Sequence, residues 1–326
     1  MIEILSSTAL ATVQDAGRLG SLRFGVGTAG AMDQLALAVG NLLLGNPAGA
    51  AALEIPVYPF QVRFTEDCAF ALTGADGQAT LDEKAVAPWW VGQARKGQVL
   101  RIGLPVAGSG SRAYLALAGG IDVPEVLASR STQLRGAFGG LDGRAMRQGD
   151  VLRAATPGVS PAVDFGVLPP ALALPLQQDG LPAVRVLPAA EYACFEEASR
   201  AAFWAGEWKI TAQSDRYGYR MQGTPLVPVA AMEIRSHGIV PGVIQVPSGG
   251  QPIVQMRDAQ PSGGYPKFGT VIEADLWRLG QAAIGSRVRF VETDFEAAVA
   301  ALGEVEAWLD EVRRLVDLQR WALQRK

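Results

Sequence analysis

The stretch RDAQPSGGYPKFG, beginning at Arg257, sets an acid, an amide, a phenol and an ammonium around a Gly-Gly pair. Asp258, Gln260, Gly263, Gly264, Tyr265 and Lys267 together have the chemistry to hold and polarise a carbonyl and to neutralise an anion. Upstream lie Arg216, in SDRYGYRMQG, and His237, in RSHGIVPG. A loop histidine can move protons near neutral pH, and it can equally serve as a local hydrogen-bonding residue. Asp258 reads as a proton acceptor or as an ordinary turn residue after a strand. Three glutamines, Gln245, Gln251 and Gln255, sit on apolar, strand-like pieces. Buried amides must be hydrogen-bonded and offer both donors and acceptors, which suits a ligand carrying an amide; backbone or solvent would satisfy them too.

A second polar-rich stretch, VQDAGRLGSLRFGVGTAGAMD, carries Gln14, Asp15, Arg18 and Asp33 and is a possible N-terminal site. Its Gly25-x-Gly27-x-x-Gly30 spacing imitates a dinucleotide fingerprint. That fingerprint needs a preceding strand and a following β-α-β unit, and the text supplies neither, so a nicotinamide site is rejected. The expected helix starting near Ala31 retains the option of presenting backbone N–H groups to an anion, with Asp33 as a dipole-complementing residue.

Several chemistries are excluded. The chain has a single histidine and two cysteines, Cys68 and Cys194, too few and too scattered for a zinc site, and no metal is expected. There is no G-x-S-x-G elbow. In GQARKGQV, Gln98 stands where a phosphate-binding lysine belongs. RAMRQG places Arg147 after Met146, so covalent biotin on this chain is not expected. A net charge of −3 with dispersed basic residues disfavours nucleic acid and membrane partners. No apolar run reaches the roughly 18 residues of a membrane span, and the first residues do not read as a signal peptide. The expected compartment is the cytoplasm.

The elements that must position these residues are mostly β. GQVLRIG, GDVLRAA and GSRVRFV each put a turn before an alternating apolar/Arg run. Further strands are expected at 61–64, 69–73, 113–118, 184–187, 208–212, 243–246 and 253–256. Helices are expected at 32–44, ending on the stop signal Gly45-Asn46-Pro47, at 191–204, and at 294–324, where Gly303 is a point of interruption. Proline-dense text from 154 to 188 marks a linker. The expected organisation is a mostly β N-terminal domain (1–165), a second β domain (180–293) and a C-terminal helix (294–326).

TVQDAGRLG, GAMDQLALAVGNLLLGNP, LTGAD, RAYLALAGGIDVP, SRSTQLRGAFGG, SDRYGYRMQG, SHGIVPGVIQVPSGGQPIV and DAQPSGGYPKF follow one another in order. With them the chain resembles the KipA family, also called allophanate hydrolase subunit 2 or the biotin-dependent carboxyltransferase family. The resemblance implies two β-barrel-like domains, the second cyclophilin-like, and a KipI-like partner. Members commonly serve in an ATP-dependent 5-oxoprolinase with a lactam-hydrolase-like subunit, and others form half of the carboxyltransferase of urea carboxylase. The leading expectation is opening of a lactam, with ATP and Mg²⁺ used in the complex. Asp258, Gln260 and Tyr265 would hold the amide, Arg216 or Lys267 would neutralise a carboxylate or phosphate, and His237 would assist proton transfer. Gln245, Gly263 and Gly264 complete the expected substrate site. Alternatives are a carboxyltransferase served by a separate biotin carrier and a non-catalytic regulator of a KipI-like protein. The family usually has D-x-Q-T-T-G-G-Y-P where this chain has Pro261 and Ser262, proline where Gly27 stands, and serine at Ala29.

Overall fold

A computed structural model describes residues 1–7, 10–156, 165–232 and 234–323. Its chain divides into two units, Met1–Arg18 with Ala29–Ala173 and Ala307–Lys326, and Leu19–Thr28 with Leu174–Glu306. The expected linker falls partly on residues 157–164, outside the described residues; the remainder holds a short helix, α2 below, and the strands Gln177–Gln178 and Leu181–Pro188.

In the first unit two antiparallel sheets face each other. One runs in the order Ile121–Asp122, Val151–Ala154, Ile2–Ser6, Phe60–Phe64, Val99–Ile102, Thr80–Leu81, Lys84–Ala85. The other runs Thr12–Gln14, Ala52–Ile55, Ala113–Leu117, Cys68–Gly74, Trp90–Ala94. Alternation decides which side chains meet: Phe60, Val62 and Phe64 turn inward while Gln61 and Arg63 do not. Ile2, Ile4, Leu100 and Ile102 pack there against Leu53, Phe70, Leu72, Leu115 and Leu117 of the second sheet.

That second sheet is buried on both faces. Its outer face is built from Ala52, Ala69, Ala71, Tyr114 and Ala116, and helix α1 (Gln34–Leu44) lies on it. Small side chains let the helix approach closely: a Cβ on Gly40 would lie 3.6 Å from that of Ala116. Asp33 caps α1, accepting from Leu35 N and Ala36 N, and Gly45 ends it in the left-handed conformation, as its stop signal implies. The remaining helices are α2 (Pro170–Ala173), α3 (Glu197–Ala205), α4 (Leu276–Gln281) and α5 (Phe295–Leu323). Val312 and Val316 of α5 join the same core as α1, and Arg320 donates to Leu44 O. Helix α5 runs through Gly303 without a break.

The second unit contains a closed seven-strand barrel. Its order is Leu181–Pro188, Lys267–Val271, Val243–Gln245, Ile253–Gln255, Gly218–Gln222, Trp208–Ile210, Arg287–Glu292. All neighbours are antiparallel except the closing pair, Leu181–Pro188 with Arg287–Glu292, which is parallel. Aromatic rings fill it: Phe203 of α3 stacks on Phe290 at 4.8 Å and meets Phe268 at 4.3 Å. The helix expected at 191–204 is split into a 3₁₀ turn, Tyr192–Cys194, and α3. Phe195, between them, is extended, bridges to Pro228 and is buried against Phe268. Tertiary packing of one ring thus overrides helix propensity.

Candidate active site

The strands of the second unit bring together the side chains that the sequence spaces over fifty residues. Gln245 and Gln255 sit on paired strands, and Gln255 Nε2 donates to Gln245 Oε1 at 3.0 Å. Gln245 is 1 % exposed, and among the described residues its Nε2 has no hydrogen-bond partner. Lys267, on the neighbouring strand, is 6 % exposed. Its Nζ lies 3.1 Å from His237 Nδ1 and 3.4 Å from Gly263 O. Burial holds the Lys267 ammonium below its ordinary range, opposed by the charge of Glu191. Among the described residues no carboxylate forms an ion pair with it.

A two-residue ladder, His237–Gly238 with Ser262–Gly263, places His237 and Gly263 beside this lysine and amide. His237 is exposed, and its Nδ1 is also 3.1 Å from Arg235 O. One ring nitrogen cannot accept from Lys267 and donate to Arg235 at once, so the two side chains share one proton arrangement. Both glycines are required by space. A Cβ on Gly263 would fall 2.5 Å from Gln245 Nε2, and one on Gly264 would fall 2.9 Å from Ile234 O. Tyr265 is 52 % exposed and Gln260 is exposed, so both lie at the surface of the loop.

Asp258 and Arg216 are brought together, but with each other. Arg216 Nε donates to Asp258 Oδ2 at 3.0 Å and Nη2 to Oδ1 at 2.9 Å, and both residues are buried. A carboxylate gripped at both oxygens by a guanidinium is a poor proton acceptor and a good brace. Its loop is held from a further side: Thr28 Oγ1 donates to Arg257 O at 3.2 Å, and a Cβ on Gly27 would lie 2.6 Å from Ala259 O.

The N-terminal residues are held by partners of their own in the first unit. Asp15 accepts from Gly17 N, Arg130 N, Ser129 Oγ and Ser131 Oγ. Arg18, fully buried, donates to the carbonyls of Val126 and Ser131 and lies over the Phe138 ring. Gln14 Nε2 donates to Thr12 Oγ1 and Thr132 O. Asp33 takes the first-turn N–H groups of α1 as its cap, and buried Glu54 accepts from Met32 N, so that helix start offers an anion little. Sequence reasoning missed Ser129, Ser131 and Tyr114. Tyr114 accepts from Asp33 N and donates to Glu54, and burial raises its hydroxyl pKa well above the ordinary value. Their signal is three-dimensional, because partners of Asp15 lie more than a hundred positions away.

The model of the carboxyltransferase domain, subdomains A and B, matches residues 24–292. The chain belongs to this family. This carboxyltransferase-domain chain is 41 % identical over 317 residues to the C subunit of 5-oxoprolinase from Haemophilus influenzae, covering 97 % of this chain and 99 % of that one. It is also 41 % identical to the corresponding 5-oxoprolinase C subunit of Escherichia coli, over 96 % of this chain and 97 % of that one. Among solved structures, the urea amidolyase of K. lactis superposes with a TM-score of 0.86 at 29 % identity, over 95 % of this chain but 20 % of that one. Among its described residues, the carboxyltransferase-domain chain has no group of three or more His, Cys, Asp or Glu placed to hold a metal ion. None of its described helices is long and apolar enough to cross a membrane.

Proposed function

We propose that the chain is the C subunit of an ATP-dependent 5-oxoprolinase, opening 5-oxo-L-proline to L-glutamate with a KipI-like and a lactam-hydrolase-like subunit. One observation carries this reading. The match to the Haemophilus 5-oxoprolinase component spans both proteins almost completely, whereas the chain covers 17 % of the urea amidolyase of Lachancea kluyveri. A lactam carbonyl is resonance-stabilised, so the expected chemistry transfers a phosphoryl group to the amide oxygen. Water then adds to the ring carbon, the C–N bond opens as nitrogen takes a proton to leave an acyl phosphate, and a second water releases phosphate to give the free carboxylate.

Within this chain the amide oxygen falls to Gln245 Nε2 and Lys267 Nζ, and proton movement to the Lys267–His237 pair. Gln260 and Tyr265 contact the substrate from the exposed loop. Arg216 and Asp258 keep that loop in place rather than react. The residues of this chain do not fit a triphosphate with Mg²⁺: the phosphate-loop lysine is replaced by Gln98, and α1 spends its first-turn donors on Asp33. ATP is therefore assigned to the complex, and no phosphoryl-transfer step is routed through this chain.

The test is copurification with candidate partner subunits and an assay of ATP- and 5-oxoproline-dependent glutamate release. Release by the complex, lost on replacing Lys267 with Met, is expected; a complex that turns over ATP without 5-oxoproline refutes the assignment. The family model and the K. lactis urea amidolyase favour a second reading, a carboxyltransferase working with a separate biotin carrier. Dependence on bicarbonate and a biotinylated carrier would establish it in place of lactam opening.

A further inference from the structure

We infer that Gln255 is a positioning residue that fixes the Gln245 amide with its nitrogen toward the ligand, so that the site selects for an oxygen acceptor such as a carbonyl. The inference deepens the proposed lactam reading and rests on it only for the identity of the ligand.

Gln245 pairs with Ile253, which makes Gln255 its diagonal neighbour on the same face. At that separation two glutamine side chains can meet, and they do: Gln255 Nε2 donates to Gln245 Oε1 at 3.0 Å. An amide has one oxygen and one nitrogen. Once Gln245 Oε1 is taken by Gln255, only its Nε2 remains to point the other way, toward Gly263. That nitrogen is buried and has no acceptor among the described residues, an arrangement that folded proteins seldom keep without a use.

Gly263 lies directly over it, and the space available there is less than a methyl group requires. Gly263 O also forms the long 3.4 Å contact with Lys267 Nζ. A ligand oxygen entering where Gly263 now lies would face the Gln245 Nε2 donor, with Lys267 Nζ in contact with the carbonyl of the same glycine. The cover is a ladder of two residue pairs, His237 with Gly263 and Gly238 with Ser262, short enough to shift. Were the Gln245 amide reversed, Oε1 would face the same oxygen and repel it. Gln255 is the side chain that decides between these two arrangements.

Two measurements test this. In the full chain labelled with ¹⁵N-glutamine, the slowly exchanging side-chain NH₂ of the pair should vanish in Gln255→Met and persist in Gln245→Glu. In Gln255→Glu, a carboxylate that only accepts, the slow NH₂ should instead belong to Gln245. A wild-type slow NH₂ that is lost with Gln245→Glu overturns the inference, whatever the ligand proves to be. In the copurified complex, 5-oxo-L-proline should bind about tenfold more weakly to Gln255→Glu, the loss of one hydrogen bond with repulsion in its place. Unchanged binding with a reversed amide also overturns it. A wild-type complex that fails to bind 5-oxo-L-proline sinks the lactam reading alone, because the exchange measurement still decides what Gln255 does. If Gln255→Glu does not fold, the wild-type assignment from Gln245→Glu suffices.

Discussion

Replacing Gly263 with alanine asks directly how tightly the site is built. The added Cβ would lie 2.5 Å from Gln245 Nε2 and 3.2 Å from its Cδ and Oε1. The φ of Gly263 is outside the left-handed region, so backbone strain adds nothing and the whole cost is steric. Gln245 cannot swing clear without giving up its 3.0 Å bond from Gln255. Overpacking of this kind costs about 1–3 kcal/mol, and the broken hydrogen bond about 1 kcal/mol more. A total near 2–4 kcal/mol corresponds to a Tm lowered by roughly 4–16 °C. Gly238, in the same ladder, supplies the control, since a Cβ there meets nothing within 4 Å and should change stability by less than about 0.5 kcal/mol. Thermal and urea unfolding of Gly263→Ala, Gln245→Ala and the double variant complete a cycle. Removing the Gln245 side chain removes the clash, so the double variant should be more stable than additivity predicts by about 1–3 kcal/mol. A Gly263→Ala no worse than Gly238→Ala, or strict additivity, refutes the steric account.

Other expectations follow from the same structure. Arg216→Met removes the guanidinium bonded to both oxygens of the buried Asp258 carboxylate and should cost about 3–5 kcal/mol in denaturant unfolding; a loss below 1 kcal/mol would show that the pair does not brace the loop. Because burial lowers the Lys267 pKa in the folded state, the unfolded chain binds more protons at alkaline pH. Lys267 therefore opposes folding at and below neutrality, and this penalty is relieved as pH rises toward its unfolded value. Lys267→Met should be more stable than wild type near neutrality, with the difference narrowing at alkaline pH, while the proposed lactam opening is lost; a stability difference independent of pH contradicts this. Gly303→Ala, in a helix position with open space around it, should stabilise by about 1 kcal/mol, readable as a higher Tm.

Much of the fold was legible because its signals are local. Alternation in Phe60–Phe64 and the runs behind Gly97, Gly149 and Gly285 each fix a strand, and Gly45 fixes the end of α1. Non-local decisions were not legible. Nothing near Phe195 announces that it will leave a helix to pack on Phe268, and nothing near residue 181 announces a parallel partner at 289. The site divides in the same way. The Gly263-Gly264-Tyr265 loop, Lys267 and the strand glutamines could be singled out by residue type. The polar density around Asp15 and Arg18 carries the same local signal, yet there it serves to tie the 123–140 loop to the first unit. Gly27 lies against the Ala259 carbonyl, a contact over more than two hundred positions that neither stretch announces.

The parallel pairing that closes the barrel bears on how the protein is made. Ala183 opposes Arg289 and Val186 opposes Glu292, so the first strand waits for a partner more than a hundred residues downstream. Every other seam of the barrel joins strands in antiparallel fashion, but this one must span nearly the whole unit. Closing so long a loop is entropically costly and slow. On the ribosome, Leu181–Pro188 emerges early with one edge unpaired until Arg287–Glu292 has been synthesised. A nascent chain stalled before residue 287 would hold the pieces of the site without the closed ring that keeps them in register.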